Sequence, residues 1–493
     1  MAGIDETGQA VARSVQEYID ETPYWADGTV APSSPMTAMQ WRIWLLASAG
    51  KFFEGMVVFM TGVALPLIVR EFNLGAMEKG TVSAATLFGI LIGASALGGL
   101  ADHYGRKKMF IVEMILFAIC LMALVFSPNY IFLIIFLFGM GLALGCDYPT
   151  AHMIISESIP SVDRGRLVLS AFAFQAVGAL VGTVVGYLIL YKSPELGAWR
   201  YMYATAIIPA MLVLAGRFFI PDSGHWLVSR GRIREAEEAL ARLLHRVPSY
   251  PKVIKIEPPK SNGNGVDDHK AGTYLDLFRA GNIRATMLAS VPWFLQDLGT
   301  YGIGIFTPTI LGSVLGAKAV HPRNVADLIH NDMLAAKGAA FIDVLLIFGI
   351  VCAVLLADKV GRIKLQVTGF VGCAAGLFLA TMSMEASSSF MSMVYLFSGF
   401  MLFSFMTNMG PNAITYLLAG EVFPTQIRGK GAGFAASFAK VGAVATAFFF
   451  PILLKDFGTE IILYFLVGCS LLGAVVTWLF RIETSGMNLE DLE

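Results

Sequence analysis

Along most of the chain, apolar residues come in long unbroken runs rather than at the spacing of a half-buried surface helix or strand. A bilayer core of about 30 Å is crossed by ~20 largely apolar residues in a helix. Runs of that kind fall at 41–69, 78–100, 108–127, 130–156, 167–190 and 200–220, then at 286–312, 338–357, 365–386, 390–418, 431–453 and 459–480. The pattern predicts an all-α integral membrane protein with twelve transmembrane helices in two six-helix bundles. Between the bundles the chain turns polar. "SRGRIREAEEALARLLHR" (229–246) reads as a basic amphipathic helix, and "PPKSNGNGVDDHK" (258–270) as a flexible linker. The expected units are a tail at 1–40, a bundle at 41–222, a linker at 223–284, a second bundle at 285–482 and a tail at 483–493.

Composition supports this reading. The 493 residues are 56% hydrophobic and 14% charged, far more apolar surface than a soluble domain hides. A net charge of −1 gives no reason to expect a nucleic-acid partner. The five cysteines (Cys120, Cys146, Cys352, Cys373, Cys469) sit in apolar runs at unrelated spacings, which argues against a disulfide framework or a metal site. The seven histidines form no cluster in the sequence, and no phosphate loop or nucleophile pattern stands out, so no cofactor, metal or enzymatic activity is expected. Residues 1–40 carry Asp5, Glu6, Glu17, Asp20, Glu21 and Asp27 without an apolar run, unlike a signal peptide; a short helix is expected around "QAVARSVQEYI".

Orientation follows from the short loops. Arg106, Lys107, Lys108, Arg164, Arg166, Lys359, Arg362, Lys364, Arg428 and Lys430 share a side with both termini and the linker. The opposite loops are sparser in basic residues, with Lys192, Lys318 and Arg323. Basic loops mark the cytoplasmic side, so a multi-pass cell-membrane protein with both termini inside is expected, monomeric in the lipid bilayer.

Two segments recur in corresponding places. "ADHYGRK" (101–107) returns as "ADKVGRI" (357–363), and "ESIPSVDRG" (157–165) returns as "EVFPTQIRG" (421–429). Duplicated six-helix halves related by an axis along the membrane normal are a transporter architecture. The Asp-x-x-Gly-Arg loops resemble the signature of the major facilitator superfamily. The Glu-x-x-Pro-x-x-x-Arg-Gly pairs and "PDSGHWLVSRGR" (221–232) resemble its sugar-porter-like branch. The resemblance implies a gating role for Asp102, Arg106, Glu157, Arg164, Asp358, Arg362, Glu421 and Arg428.

Ionisable residues inside spans are costly and default to functional hypotheses. They are Lys51 and Glu54, Glu113, Asp147, Asp297 and Lys440, while Asp343 reads as interfacial, near one end of its span. Lys51 and Glu54, three apart on one helix face, either neutralise each other or leave Glu54 free for proton coupling. In the seventh span Trp293, Asp297 and Tyr301 recur every four residues and so share a face. An aromatic belt at the membrane surface needs no acid between its rings, so a binding face is expected there. Burial disfavours the charged form of a carboxyl. Protonated, Asp297 can donate to an anion; ionised, it repels one by about 4 kcal/mol at ~4 Å and an effective dielectric of 20.

The stripe is similar to that of the proton-coupled phosphate symporters of fungi and plants. It comes with "CDYP" at 146–149, Gln175 in the fifth span, "GPN" ending at Asn412 and Lys440 in the eleventh. That resemblance implies an anion site lined by Tyr148, Gln175, Trp293, Asp297, Tyr301 and Asn412, served by Lys440. It implies proton traffic through Asp147, Asp297, Glu54 and Glu113. The chain departs from the pattern at Val57 and Leu137, in "GCD" and in "ITY" after the asparagine. Expected partners are a small-molecule substrate and protons, with phosphate as the best motif match. A sugar or an organic acid such as an aromatic carboxylate stays open, as does a receptor that binds without transporting.

Overall fold

A computed structural model describes residues 12–22, 34–97, 100–246, 254–256, 273–315, 325–424 and 427–484. The expected linker at 258–270, Lys318, Arg323 and most of both tails lie outside these residues. The described chain is helical, with one isolated β-bridge between Arg13 and Ile256. Among the described residues, ten helices are long and apolar enough to cross a membrane. One of them, Arg428–Leu479, contains 52 residues, about 78 Å at 1.5 Å per residue and more than twice a bilayer core. It breaks at Gly458, whose φ of 79° and ψ of 172° are not helical, and so holds two spans, 428–457 and 459–479.

Ile283–Leu315, not among those ten, is 33 residues long and carries the polar stripe; counting it gives twelve spans. In the first half these are span 1 (Ala38–Phe72), span 2 (Ala76–Ile92, continued by a π-turn at Gly93–Leu97 and by Leu100–Tyr104), span 3 (Arg106–Val125) and span 4 (Tyr130–Ser158). Span 5 (Arg164–Phe172 with Phe174–Lys192) and span 6 (Ala198–Ala204 with Ile207–Phe218) complete it. The second half holds span 7 (Ile283–Leu315), span 8 (Val325–Val360), span 9 (Arg362–Glu385), span 10 (Ser389–Met409 with Pro411–Glu421) and spans 11 and 12. Span 8 begins thirteen residues before the expected start at 338, because the polar "DLIHNDMLAAKG" continues the helix with Ile329, Ala335 and Ala336 turned inward.

The halves meet as a two-fold axis requires. Exchanging spans 1–6 with 7–12 turns the pair 5 and 8 into 11 and 2, and both pairs pack closely, as do spans 1 and 7. Large apolar side chains face outward at helical spacing, for example Phe341, Phe348 and Leu355, as a lipid-facing surface demands. On the face that carries the described terminal segments, the terminal face, Val15, Tyr18 and Ile19 of the short helix Val15–Asp20 pack with Ile155, Trp226 and Leu240. This helix starts later than expected because Ser14 and Glu17 form its capping box. The amphipathic pattern of the linker becomes the helices Gly224–Ser229 and Ile233–Leu243, with Trp226, Ala236 and Leu240 buried.

Candidate transport site and gates

The charged loop residues form two matching networks on the terminal face. Arg106 pairs with Asp102 at 2.9 Å and Glu157 at 3.0 Å, and donates to the Ala101 carbonyl at 3.1 Å. Arg362 pairs with Asp358 at 2.7 Å and Glu421 at 3.2 Å, and donates to the Ala357 carbonyl at 3.3 Å. The preceding Gly105 and Gly361 hold φ of 105° and 95°, which a side chain disfavours, so the arginine turns back under its own helix start. The glutamate of the second motif thus meets the arginine of the first. Arg164 reaches only Ser161 Oγ, at 3.5 Å, among the described residues, and Arg428 donates to the Phe423 carbonyl at 3.1 Å. A third repeat escaped the sequence reading: Ser223 Oγ donates to Glu157, and Thr484 Oγ1 donates to Glu421 at 2.5 Å. Its signal was "DS" at 222–223 against "ET" at 483–484, an acid followed by a hydroxyl residue just after the last span of each half.

In the middle of the membrane the structure brings together all seven expected substrate contacts. Tyr148, Gln175, Trp293, Asp297, Tyr301, Asn412 and Lys440 line one crevice between the halves, with Lys51 and Phe172. Tyr301 is its hub. The phenol donates to Glu54 Oε1 at 3.0 Å and accepts from Lys440 Nζ at 2.7 Å and Gln175 Nε2 at 3.2 Å. Lys440 also lies 3.3 Å from Asp297 and 3.6 Å from Glu54. Lys51 pairs with Glu54 at 2.5 Å, and its ammonium stands 4.1 Å from the centre of the Tyr148 ring, a cation–π contact. Asp297, at 1% exposure, and Trp293, at 4%, face the protein interior rather than lipid. Asn412 donates to Asn408 at 2.7 Å, which in turn donates to the Leu346 carbonyl of span 8 at 2.9 Å. Gln175 Oε1 is buried in the crevice wall without a hydrogen-bond partner among the described residues.

Aromatic rings cover the crevice toward the terminal face. Tyr416 of span 10 stacks on Phe172 of span 5 at 4.8 Å, and meets Tyr148 and Trp293 edge-on at 5.8 and 6.3 Å. The stacked pair joins the two halves.

Asp147 and Glu113, expected to share proton traffic with Asp297, do not line the crevice itself; Asp147 lines an adjoining pocket with Lys51, Glu54 and Tyr148. Asp147 pairs with Arg217 of span 6 at 2.6 Å. The guanidinium is fully buried, donates to the Phe110 carbonyl at 2.7 Å and lies 3.4 Å over the Phe110 ring. Gly50 makes this possible, since a Cβ there would fall 1.7 Å from Asp147 Oδ2. Glu113 accepts from Thr150 Oγ1 at 2.8 Å beside that pair. Arg217 was missed by the sequence reading, although it is a cation within the apolar run 200–220, well past Arg200 at its edge, the signal used for the other buried charges. Asp343 is corrected as well. It lies in the middle of span 8 and is buried, because the helix extends well beyond the apolar stretch.

Twelve spans in two related halves, repeated arginine loops and a charged crevice between the halves define a major facilitator superfamily transporter. The sequence profile of the "sugar (and other) transporter" family matches residues 43–493, and the chain belongs to that family. It is similar to the inner membrane metabolite transport protein YgcS of Escherichia coli, 27% identical over 455 residues that cover 92% of this chain and 94% of that one. The niacin transporter NiaP of Acinetobacter baylyi is 25% identical over 470 residues, covering 93% and 97%. The proton:xylose symporter XylE, solved with 6-bromo-6-deoxy-D-glucose, superposes with a TM-score of 0.72 at 23% identity, over 92% of this chain and 98% of that one. These relatives are transporters rather than enzymes. Their names span more than one cargo and give phosphate no specific support.

Proposed function

We propose that the protein is a proton-coupled symporter of a small organic anion, a monocarboxylate with a flat or aromatic body, working by alternating access. The observation that carries this reading is the charge count in the crevice. Two ammonium groups, Lys51 and Lys440, are balanced by two carboxylates, Glu54 and Asp297, through contacts of 2.5 to 3.6 Å. An entering monoanion leaves one negative charge in excess, and one proton on Asp297 restores the balance. Without it, each like-charge contact at ~4 Å costs about 4 kcal/mol at an effective dielectric of 20. Substrate and proton therefore enter together. A neutral sugar creates no such demand. Tyr148, Phe172, Trp293 and Tyr416 offer ring faces and edges beside the two cations, which suits a planar carboxylate better than compact phosphate. A relative named for niacin, a pyridine carboxylate, agrees with this chemistry.

In this reading the terminal face is cytoplasmic, by the excess of basic loop residues. The Tyr416–Phe172 stack closes the crevice on that side, and the Arg106 and Arg362 networks brace the same conformation. The test is uptake into proteoliposomes of nicotinate, benzoate, inorganic phosphate, glucose and myo-inositol under an imposed pH gradient, with the membrane potential clamped or free. An aromatic carboxylate is expected to accumulate, driven by the pH gradient and indifferent to potential. Accumulation of phosphate or a sugar alone overturns the cargo assignment.

A further inference from the structure

The two halves touch through a buried acid that the proposed site does not use. Asp343 of span 8 lies with Oδ2 2.7 Å from Thr183 Oγ1 of span 5, on the opposite half. Thr183 stands eight residues beyond Gln175 on the same helix, about 12 Å farther from the terminal face at 1.5 Å per residue. The contact is therefore in the seam that must part when the crevice opens on that side. Both side chains are buried, with Asp343 at 5% exposure and Thr183 at 1%.

Thr183 has one hydrogen for two acceptors, Asp343 Oδ2 and the Ala179 carbonyl. Thr183 Oγ1 also lies 3.0 Å from the Ala179 carbonyl, one turn back on its own helix. A carbonyl only accepts, and a threonine hydroxyl has a single hydrogen. If that hydrogen serves Ala179, the hydrogen at Asp343 has to come from Asp343. Thr61 shows the same geometry with a partner of known chemistry. Its hydroxyl lies 2.7 Å from the Val57 carbonyl and 2.7 Å from the phenol of Tyr203, which brings its own hydrogen. An ionised Asp343 would share one hydrogen with a competing carbonyl, and nothing nearby offsets its charge. Among the described residues it forms no ion pair. The spans packed against it supply no near cation either. Span 5 carries Arg164, Arg166 and Lys192 toward its two ends, and Ser389–Met409 of span 10 carries no charge. Glu54 and Lys51 of span 1 and Asp297 of span 7 are paired with one another or with Lys440 in the crevice. Arg362, Lys364 and Glu385 of span 9 fall near that helix's ends. On span 8 itself Asp332 is another acid, and Lys337 is exposed.

We infer that Asp343 is a second proton-binding site and the latch of this seam: it carries a proton while spans 5 and 8 are closed. When the seam opens, water reaches the carboxyl, the proton passes to that water, and the carboxylate left behind resists reclosure until it is protonated again. Its place in a transport cycle rests on the alternating-access reading above. The protonation does not, and it is measured without any cargo, so failure to accumulate every substrate in the uptake panel would leave this result intact.

The test is infrared spectroscopy of the protein in liposomes, comparing wild type with Asp343→Asn at neutral pH. The expected difference is the loss of one protonated-carboxyl carbonyl band. The subtraction isolates Asp343 from Glu113, which stands against Thr150 in the same way. Hydrogen–deuterium exchange supplies the conformational arm. In wild type the populations exposing 180–186 and 340–346 should rise with pH by up to about tenfold per unit, the slope of a one-proton linkage. Asp343→Asn, whose amide can donate to Thr183 at every pH, should flatten that slope. Should this variant fail to fold, Thr183→Val decides, because a protonated Asp343 that loses its acceptor must shift its carbonyl band. Identical carboxyl bands in wild type and the folded Asp343→Asn, or an unmoved band in Thr183→Val, overturn the proposal.

Discussion

On the terminal face, Arg106 takes Asp102 and Glu157, and Arg362 takes Asp358 and Glu421; each arginine follows a positive-φ glycine, and each glutamate accepts from one hydroxyl residue, Ser223 or Thr484. In the crevice nothing repeats in that way. The first half gives Lys51, Glu54 and Gln175, the second gives Asp297, Tyr301 and Lys440, and Asp147–Arg217 belongs to the first half alone. On the proposed reading the two regions have different tasks. Bracing and releasing a pair of rocking halves is the same job twice. A single asymmetric cargo needs one site, and residues freed from symmetry can build it. The expectation is that changes in the networks alter rates in both halves alike, while changes in the crevice alter coupling from one side only.

The largest effect should come from Asp297→Asn. The amide can still donate to substrate but cannot release a proton. Uptake driven by a pH gradient should vanish while counterflow persists within about an order of magnitude, a barrier change near 1.4 kcal/mol. The competing idea is that Asp297 only holds Lys440 in place across 3.3 Å. It demands that Asp297→Asn with Lys440→Met regain accumulation that either change alone destroys. Accumulation by Asp297→Asn itself removes the coupling role.

Next comes the unrepeated pair of the first half. Arg217→Met leaves Asp147 buried without its counter-charge, a loss of about 3–5 kcal/mol for breaking a buried pair. Arg217→Met with Asp147→Asn should recover most of it. Thermal unfolding in detergent measures both. A double variant no more stable than the single would mean that packing over Phe110, rather than charge, sets the cost.

The same contrast explains what could be read from the sequence. Spans came from hydropathy because a bilayer imposes length and polarity on each helix separately. The loop networks were legible because duplication printed them twice. Trp293, Asp297 and Tyr301 declared a shared face through helical spacing. What escaped depended on contacts between distant spans. Arg217 finds Asp147 only once spans 1 and 3, whose carbonyls it also meets, bring span 6 within reach of span 4, and Tyr416 covers the crevice only once span 10 meets Phe172. Asp343 was misplaced for another reason: the apolar run is shorter than the helix that contains it, so its middle looked like an end.

A smaller and symmetric effect is expected in the networks. Arg106→Gln and Arg362→Gln should each slow transport by about tenfold, with equilibrium substrate binding nearly unchanged, because both bias conformation without touching the crevice. Binding by calorimetry and initial rates in proteoliposomes separate the two quantities. A variant in one half that cripples transport while its counterpart is silent would break the equivalence.

The smallest effect tests how far that equivalence reaches. Ser223 and Thr484 both donate to a network glutamate, so losing either hydroxyl should cost about 1 kcal/mol for one hydrogen bond. Ser223 has a second duty. Its Oγ also accepts from the Trp226 backbone N–H at 3.2 Å and so caps the helix Gly224–Ser229, a contact worth about 1 kcal/mol in its own right. Thr484, five residues beyond the end of span 12, shows no such capping bond among the described residues. Ser223→Ala should therefore destabilise the protein by roughly twice as much as Thr484→Val, while the two slow transport equally, because only the shared bond belongs to the gate. Thermal unfolding and initial uptake rates on the same preparations give both comparisons. Equal stability losses would mean the cap contributes nothing. Unequal rates would mean that the linker helix, held by that cap, takes part in gating the first half and has no partner in the second.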